Sequence, residues 1–153
     1  MDYTNLEIDF IERTLNVIKQ YKGLLEQNPK IEKFDITLYI NSLTGLIVLP
    51  KEKGFLDKYL PNERLEEWGI KKCVLYPEIK TVKELAIQLR HCIAHFDIEF
   101  GSDNERQIDK LIFKDSQKSK GTIAEFGIED FKVFVELLAD FMIKNAKKRN
   151  EKS

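Results

Sequence analysis

The sequence predicts a mostly α-helical fold, a helical bundle with a small β-hairpin before its last helix. Four long segments carry apolar side chains at the three-to-four-residue spacing of amphipathic helices: residues 4–27, 35–49, 81–100 and 128–147. Pro29 and Pro50 follow the first two segments, where a helix is expected to end. Two shorter segments, residues 108–114 and 122–126, flank a polar connection with Gly121 at its end, which is typical of a hairpin.

Length, charge and cysteine content restrict the class of protein. The 153 residues suffice for the core of one domain, which we expect over residues 1–147, followed by a basic tail at residues 148–153. A net charge of −1 argues against a broad surface that coats nucleic acid, but it leaves room for a local basic cleft. Cys73 and Cys92 lack the spacing of a metal or redox pair, and they predict a reducing, cytoplasmic setting. The longest apolar stretch, residues 36–49, is too short and too polar to span a membrane.

The first two predicted helices rest on different signals. Thr4 and Glu7 form a capping-box pattern. Two apolar rows follow and predict burial of the first helix over a wide arc: Ile11, Ile18, Tyr21 and Leu25 in one row, and Phe10, Val17 and Leu24 in the other. The Ile, Thr and Val content of the second segment would also suit a strand. The helical spacing of its apolar residues favours a helix: Ile36, Ile40, Leu43 and Ile47.

Two connecting regions complete the chain. Residues 51–80 predict a long connection with a short helix at residues 62–68, and a connection of this length is expected to border a binding site. An acidic loop, residues 97–105, is expected after the third long helix. A helix that begins at residue 105 is the alternative to the hairpin.

The third helix holds both histidines of the chain, His91 and His95. Thr81 and Glu84 form a capping box at its start. At about 100° per residue, one apolar stripe is expected to face the core; it comprises Val82, Leu85, Leu89, Ile93 and Phe96. Cys92 lies near this stripe, so we expect a small buried residue rather than a nucleophile.

The same helix carries a second, smaller apolar patch. Ile87 and Ala94 lie off the core stripe, beside Arg90 and His91. Isolated apolar groups among charges indicate a mated surface, so Ile87 and Ala94 are the predicted interface of a homodimer. Arg90 is about 140° around the helix from His95, which suggests that a second copy of the helix could complete a site.

Arg90, His91 and His95 allow three interpretations on residue chemistry alone. The first is metal-independent cleavage of RNA, in which a histidine exchanges the proton of a ribose 2′-hydroxyl and an arginine stabilises the phosphoryl charge. The second is a metal site, because histidines four residues apart share a helix face. Two ligands are too few, however, so we expect no metal and no cofactor. The third is a polar dimer seam without chemistry.

The string from Arg90 to His95 late in an amphipathic helix resembles the HEPN superfamily, whose ribonucleases carry an R-x4–6-H signature. Arg90 and His95 match the signature pair, and His91 fills the polar position after the arginine. Residues 37–41 (TLYIN) and 45–50 (GLIVLP) are similar to a branch found in plasmid- and phage-type bacterial proteins. The likeness covers roughly residues 8–145.

The resemblance implies a compact helical bundle that dimerises with its two signatures facing one cleft. It further implies an endoribonuclease that needs no metal and leaves 2′,3′-cyclic phosphate and 5′-hydroxyl ends. Arg90 would stabilise the phosphorane, His95 would act as acid or base, and His91 would orient the phosphate or the partner histidine. Members of the superfamily act as toxins in toxin–antitoxin or phage-defence systems, so an antitoxin protein is an expected partner. The alternative is a non-catalytic dimeric module that binds RNA, a nucleotide or a partner protein.

Overall fold

The computed structural model describes five stretches of the chain: residues 6–48, 60–70, 73–102, 108–115 and 121–152. Within these stretches the chain forms four α-helices: α1 (Leu6–Gln27), α2 (Asp35–Ile47), α3 (Val82–Ala94) and α4 (Ile128–Asn150). A single 3-10 turn, Leu65–Trp68, lies where the short helix was predicted. The mostly helical class is confirmed, and the last helix continues through residues 148–150 of the predicted tail.

The strands form a sheet that is larger than the predicted hairpin. Its four antiparallel strands are β1 (Cys73–Leu75), β2 (Ile98–Ser102), β3 (Ile108–Asp115) and β4 (Gly121–Gly127), in the order β1–β4–β3–β2. The hairpin of β3 and β4 is confirmed and forms the centre, with Leu111 opposite Phe126 and Phe113 opposite Ala124. The alternative of a helix from residue 105 is wrong for residues 108–115, which are extended.

The third helix ends earlier than predicted. It stops at Ala94, and residues 98–102 of the expected helix and acidic loop are strand β2. The N–H of Phe96 donates to the carbonyl of Ile93 at 3.1 Å, and the N–H of Asp97 donates to that of Cys92 at 2.8 Å. These two bonds, with a positive φ of 57° at Phe96, make a Schellman-type helix end. Phe96 is therefore 80% exposed, and its predicted place in the core stripe is wrong.

The core lies between the helices and one face of the sheet. The buried side of α3 contacts α2 and strands β3 and β4, and it consists of Val82, Leu85, Ala86, Leu89 and Cys92. Helix α4 packs against α1, α2 and the same two strands. Aromatic rings fill the contact between sheet and helix, where the centroids of Phe126 and Phe134 are 5.3 Å apart. Packing against α2 and against strands β3 and β4 determines the orientation of α3.

Helix α1 is buried on one side only. Ile11 and Ile18 lie in the core, whereas Phe10, Val17 and Leu24 are exposed, Val17 by 49%. The prediction of burial over a wide arc is therefore wrong. The physical reason is position: α1 packs against α2 and α4, so Val17 and Leu24 of its second apolar row face outward, while the ring of Phe10 lies beside Gly45 of α2.

Polar contacts join α2 to α4. The hydroxyl of Tyr39 donates to Glu136, and Lys132 forms an ion pair with Asp35. Burial, together with the hydrogen bond to Glu136, raises the pKa of Tyr39. Burial alone would lower the pKa of Lys132, but its hydrogen bonds to Asp35 and Glu129 outweigh burial and raise it. Tyr39, the central residue of the TLYIN string, thus has a structural role.

The sequence predicts that no segment of the chain spans a membrane. In the described stretches, none of the helices combines the length and the apolar character that a bilayer crossing requires.

The start of α3 is held by side chains and by the preceding connection. The N–H of Glu84 donates to the Thr81 hydroxyl at 3.2 Å, and the Glu84 carboxylate accepts from the N–H of Thr81 at 2.9 Å, which confirms the capping box. The carbonyls of Pro61 and Glu63 accept from the amides of Lys83 and Val82, each at 2.9 Å. The first amides of the helix are thereby satisfied.

We predict that Thr81→Ala lowers the free energy of unfolding by about 1 kcal/mol, because the substitution removes a helix cap. Urea denaturation measures the change. Thr37→Ala, at an exposed position inside α2, is the matched control and should not destabilise the protein, since alanine is the better helix former. Equal losses from the two substitutions would contradict the capping role.

Candidate active site

Helix α3 carries Arg90 and His91 near its C-terminal end and His95 at its C-cap. Arg90 and His91 are half-buried, and His95 is exposed and is the C-cap, with its N–H donating to the His91 carbonyl at 3.1 Å. The structure thus places the three predicted site residues within six positions of one helix end, on the surface of the domain. The exposed imidazole of His95 is accessible to a ligand from solution.

Arg90 has an unsatisfied hydrogen-bond donor. Its Nε is buried and has no hydrogen-bond partner in the described part of the chain. None of the ion pairs formed by described carboxylates involves the Arg90 guanidinium. A buried donor without a partner is costly in a folded protein, and a bound ion or a catalytic role is among the explanations for one. An anion held by the guanidinium is the ligand that this chemistry favours.

Glu84 does not neutralise the signature. Its carboxylate also accepts from the N–H of Lys80, at 2.7 Å. The backbone N–H groups of Lys80 and Thr81 hold the pKa of Glu84 below its usual range, so this group is ionised and committed to the helix start. Glu84 lies six residues before Arg90, or about 9 Å along the helix axis.

The negative charge of the acidic segment after His95 is partly neutralised by a lysine. Glu99 forms an ion pair with Lys114 at 2.7 Å. The N–H of Lys114 donates to the carbonyl of Asp97 at 2.9 Å, which ties the segment to β3. One of the acidic charges near the signature therefore has a cationic neighbour on the adjacent strand.

Cys92 lies on the core side of α3, as predicted. Burial raises the pKa of its thiol to about 12, and the nearby carboxylates of Asp115 and Asp97 add to the effect. Burial likewise raises the pKa of Cys73 to about 12. Both thiols are consequently neutral at physiological pH, which removes the thiolate that a cysteine nucleophile needs.

The two predicted interface residues lie on the side of α3 that faces away from the core. Ala94 is exposed. Ile87 is half-buried and lines a cavity of about 250 Å³ together with Tyr76, Gln88 and Ile123. The connection before α3 therefore covers part of Ile87, so Ala94 is the more accessible of the two residues.

A larger cavity lies at the other end of α3. Its volume is about 590 Å³, and its lining includes Arg64, Tyr76, Lys80 and Thr81. The connection that was expected to border a binding site supplies these residues. From Thr81 to His95 the helix extends about 21 Å, so this cavity is separate from the signature.

Across the described stretches, no three or more His, Cys, Asp or Glu side chains are grouped closely enough to hold a metal ion.

Comparison with known proteins identifies the family. A family model described as HEPN pEK499 p136 matches residues 1–149. The chain is therefore a HEPN-superfamily domain, and it belongs to the plasmid-type family that this model describes. No curated protein and no solved structure matches the chain significantly. The resemblance carried by residues 37–50 and by the signature is confirmed at the level of the family.

We predict that Cys92 and Cys73 resist alkylation in the native protein. At pH 8 a thiol with a pKa of about 12 is ionised to the extent of roughly one part in ten thousand. Iodoacetamide labelling followed by mass spectrometry should therefore be about a thousandfold slower than in the urea-unfolded chain. Fast native labelling of Cys92 would reinstate it as a nucleophile.

Proposed function

We propose that this protein is a metal-independent endoribonuclease of the HEPN type. The observation that carries the proposal is the Arg90 guanidinium, which has a buried donor without a partner and stands five residues before the exposed His95 on the same helix end. A fixed cation and a side chain that can exchange a proton are the two components needed for attack by a ribose 2′-hydroxyl on the adjacent phosphate. Membership of the HEPN family supports the same chemistry.

The reaction assigns one role to each signature residue. The 2′-oxygen forms a bond to phosphorus while a histidine takes the hydroxyl proton, and the bond from phosphorus to the 5′-oxygen then breaks. The leaving oxygen receives a proton, so the products are a 2′,3′-cyclic phosphate and a 5′-hydroxyl. His95 acts as acid or base, Arg90 stabilises the charge on the phosphorane, and His91 orients the phosphate.

A homodimer through α3 would complete the site. On a regular helix Arg90 and His95 project about 140° apart, so one copy presents them in different directions. A second α3 that packs against Ala94 and Ile87 would bring groups from both copies to one cleft. RNA is the proposed substrate, and a toxin–antitoxin or phage-defence role, with an antitoxin protein as partner, accords with the family.

We predict that Arg90→Ala and His95→Ala each slow RNA cleavage by roughly 10²–10⁴-fold, because one removes the charge at the phosphate and the other the acid–base group. Cleavage of mixed RNA in excess chelator, with product ends analysed by mass spectrometry, measures the loss. Both variants should keep the wild-type melting temperature within about 2 °C, since neither side chain belongs to the core.

Two controls sharpen this experiment. Lys19→Ala removes an exposed cation from α1 and should leave the rate unchanged. A DNA strand of the same sequence should not be cleaved, because it lacks the 2′-hydroxyl nucleophile. Absence of cleavage by the wild-type protein, or cleavage by both alanine variants at the wild-type rate, would refute the proposed activity and favour the non-catalytic module.

We predict that Ala94→Glu converts a dimer into monomers, because it places a charge in the centre of the proposed interface while the exposed site tolerates it in the subunit. Sedimentation velocity at micromolar concentration measures the change. Val17→Glu makes the same replacement on the exposed row of α1 and should leave the dimer intact. If the wild-type protein is a monomer, the proposed interface does not exist. If only Val17→Glu disrupts a dimer, the interface lies on α1 instead.

A further inference from the structure

Phe96 has an unusual combination of backbone conformation and exposure. Among the described residues it is the only non-glycine with a positive φ, at 57°, and its side chain is 80% exposed. Side chains with a Cβ rarely adopt this left-handed conformation, which glycine usually supplies at the end of a helix. Phe96 thus combines backbone strain with an aromatic ring left in water.

The fold gains nothing visible from this ring. The two main-chain bonds of the helix end, from Phe96 to Ile93 and from Asp97 to Cys92, need no side chain at residue 96. The large exposure means that most of the ring has no apolar neighbour to contact. Strain that the structure retains without a packing gain is often found at functional sites.

The ring occupies a defined place beside the signature. Residues 95 and 96 have Cα atoms about 3.8 Å apart, so the ring and the His95 imidazole project from neighbouring positions. The Schellman-type bonds determine the backbone at this point. The unsatisfied guanidinium donor of Arg90 lies six residues before Phe96 on the same helix and offers positive charge.

We propose that Phe96 is a positioning residue that stacks against a base of single-stranded RNA next to the scissile phosphate, an inference that rests on the proposed function. An aromatic face binds any base because every base has a π-face, and the phosphate beside it goes to Arg90 and His95. Phe96 is flanked in sequence by polar residues, His95 and Asp97. Ala94 of the proposed dimer interface lies two residues away, so a contact between two copies of the chain is the alternative occupant that the oligomeric state tests.

Binding is measured separately from cleavage. In a His95→Ala background, fluorescence anisotropy with a labelled single-stranded RNA of mixed sequence gives the Kd. Phe96→Gly should raise this Kd by about 5- to 150-fold, as expected for the loss of one stacked base. Phe96→Trp should keep the affinity, and RNA should quench its indole fluorescence.

Folding controls accompany these variants. Phe96→Gly should not lower the melting temperature, since glycine relieves the strain at a positive φ. Phe96→Asn, which tolerates the same backbone, should lose affinity to a similar extent. Phe34→Asn, at a phenylalanine that is 59% exposed at the start of α2, is the matched control for Phe96→Asn and should leave the Kd unchanged.

The outcomes separate this proposal from the activity itself. The stacking role is overturned if Phe96→Gly binds RNA with unchanged affinity, or if none of the variants binds RNA. It is also overturned if Phe96→Gly dissociates a dimer, because the ring then belongs to a protein contact. If His95→Ala abolishes cleavage while Phe96→Gly binds and cleaves normally, the ribonuclease stands and the stacking role falls. If the wild-type protein shows no cleavage, although its affinity for RNA depends on the Phe96 ring, the stacking role stands without the ribonuclease activity.

Discussion

Burial of one face of α3 is the constraint on which the rest of the structure depends. Leu85 and Leu89 are fully buried, and the helix packs against both α2 and the central strands, so it cannot rotate about its axis without exposing them. Each remaining side chain then projects at a set angle. Arg90 emerges at the boundary between core and solvent, and His95 at the exposed end. The location of the signature is therefore a consequence of hydrophobic packing.

Long periodic elements were predictable from the sequence, and short ones were not. The four helices and the β3–β4 hairpin were found because a period of 3.6 or 2 is repeated many times in each. Strand β1 has three residues, too few to establish a period. Strand β2 was assigned to the third helix because Phe96 continued the helical spacing beyond Ile93, although the backbone turns there. The outer row of α1 was misassigned because periodicity predicts apolar faces without showing what covers them.

The candidate site divides in the same way. Arg90, His91 and His95 could be selected from residue type and spacing, and Glu84 from its distance to Thr81. The unsatisfied Nε of Arg90 could not be predicted, since atomic burial depends on the surrounding elements. The exposure of Phe96 was equally hidden, because nothing in a run of non-glycine residues signals a positive φ. The burial of the Arg90 Nε and the exposure of Phe96 both depend on neighbouring elements in space, so only the structure could show them.

The end of α3 has a consequence for how sequences of this kind could vary. The bonds that join the helix to the segment leading into β2 run between main-chain atoms, from Asp97 to Cys92 and from Lys114 to Asp97. Main-chain bonds do not depend on side-chain identity, so many different sequences could hold a histidine at residue 95 in the same place. Residue 96 is the exception, because its side chain opposes the local backbone. Drift without a functional constraint should favour glycine there, and retention of an aromatic residue would indicate selection for the ring.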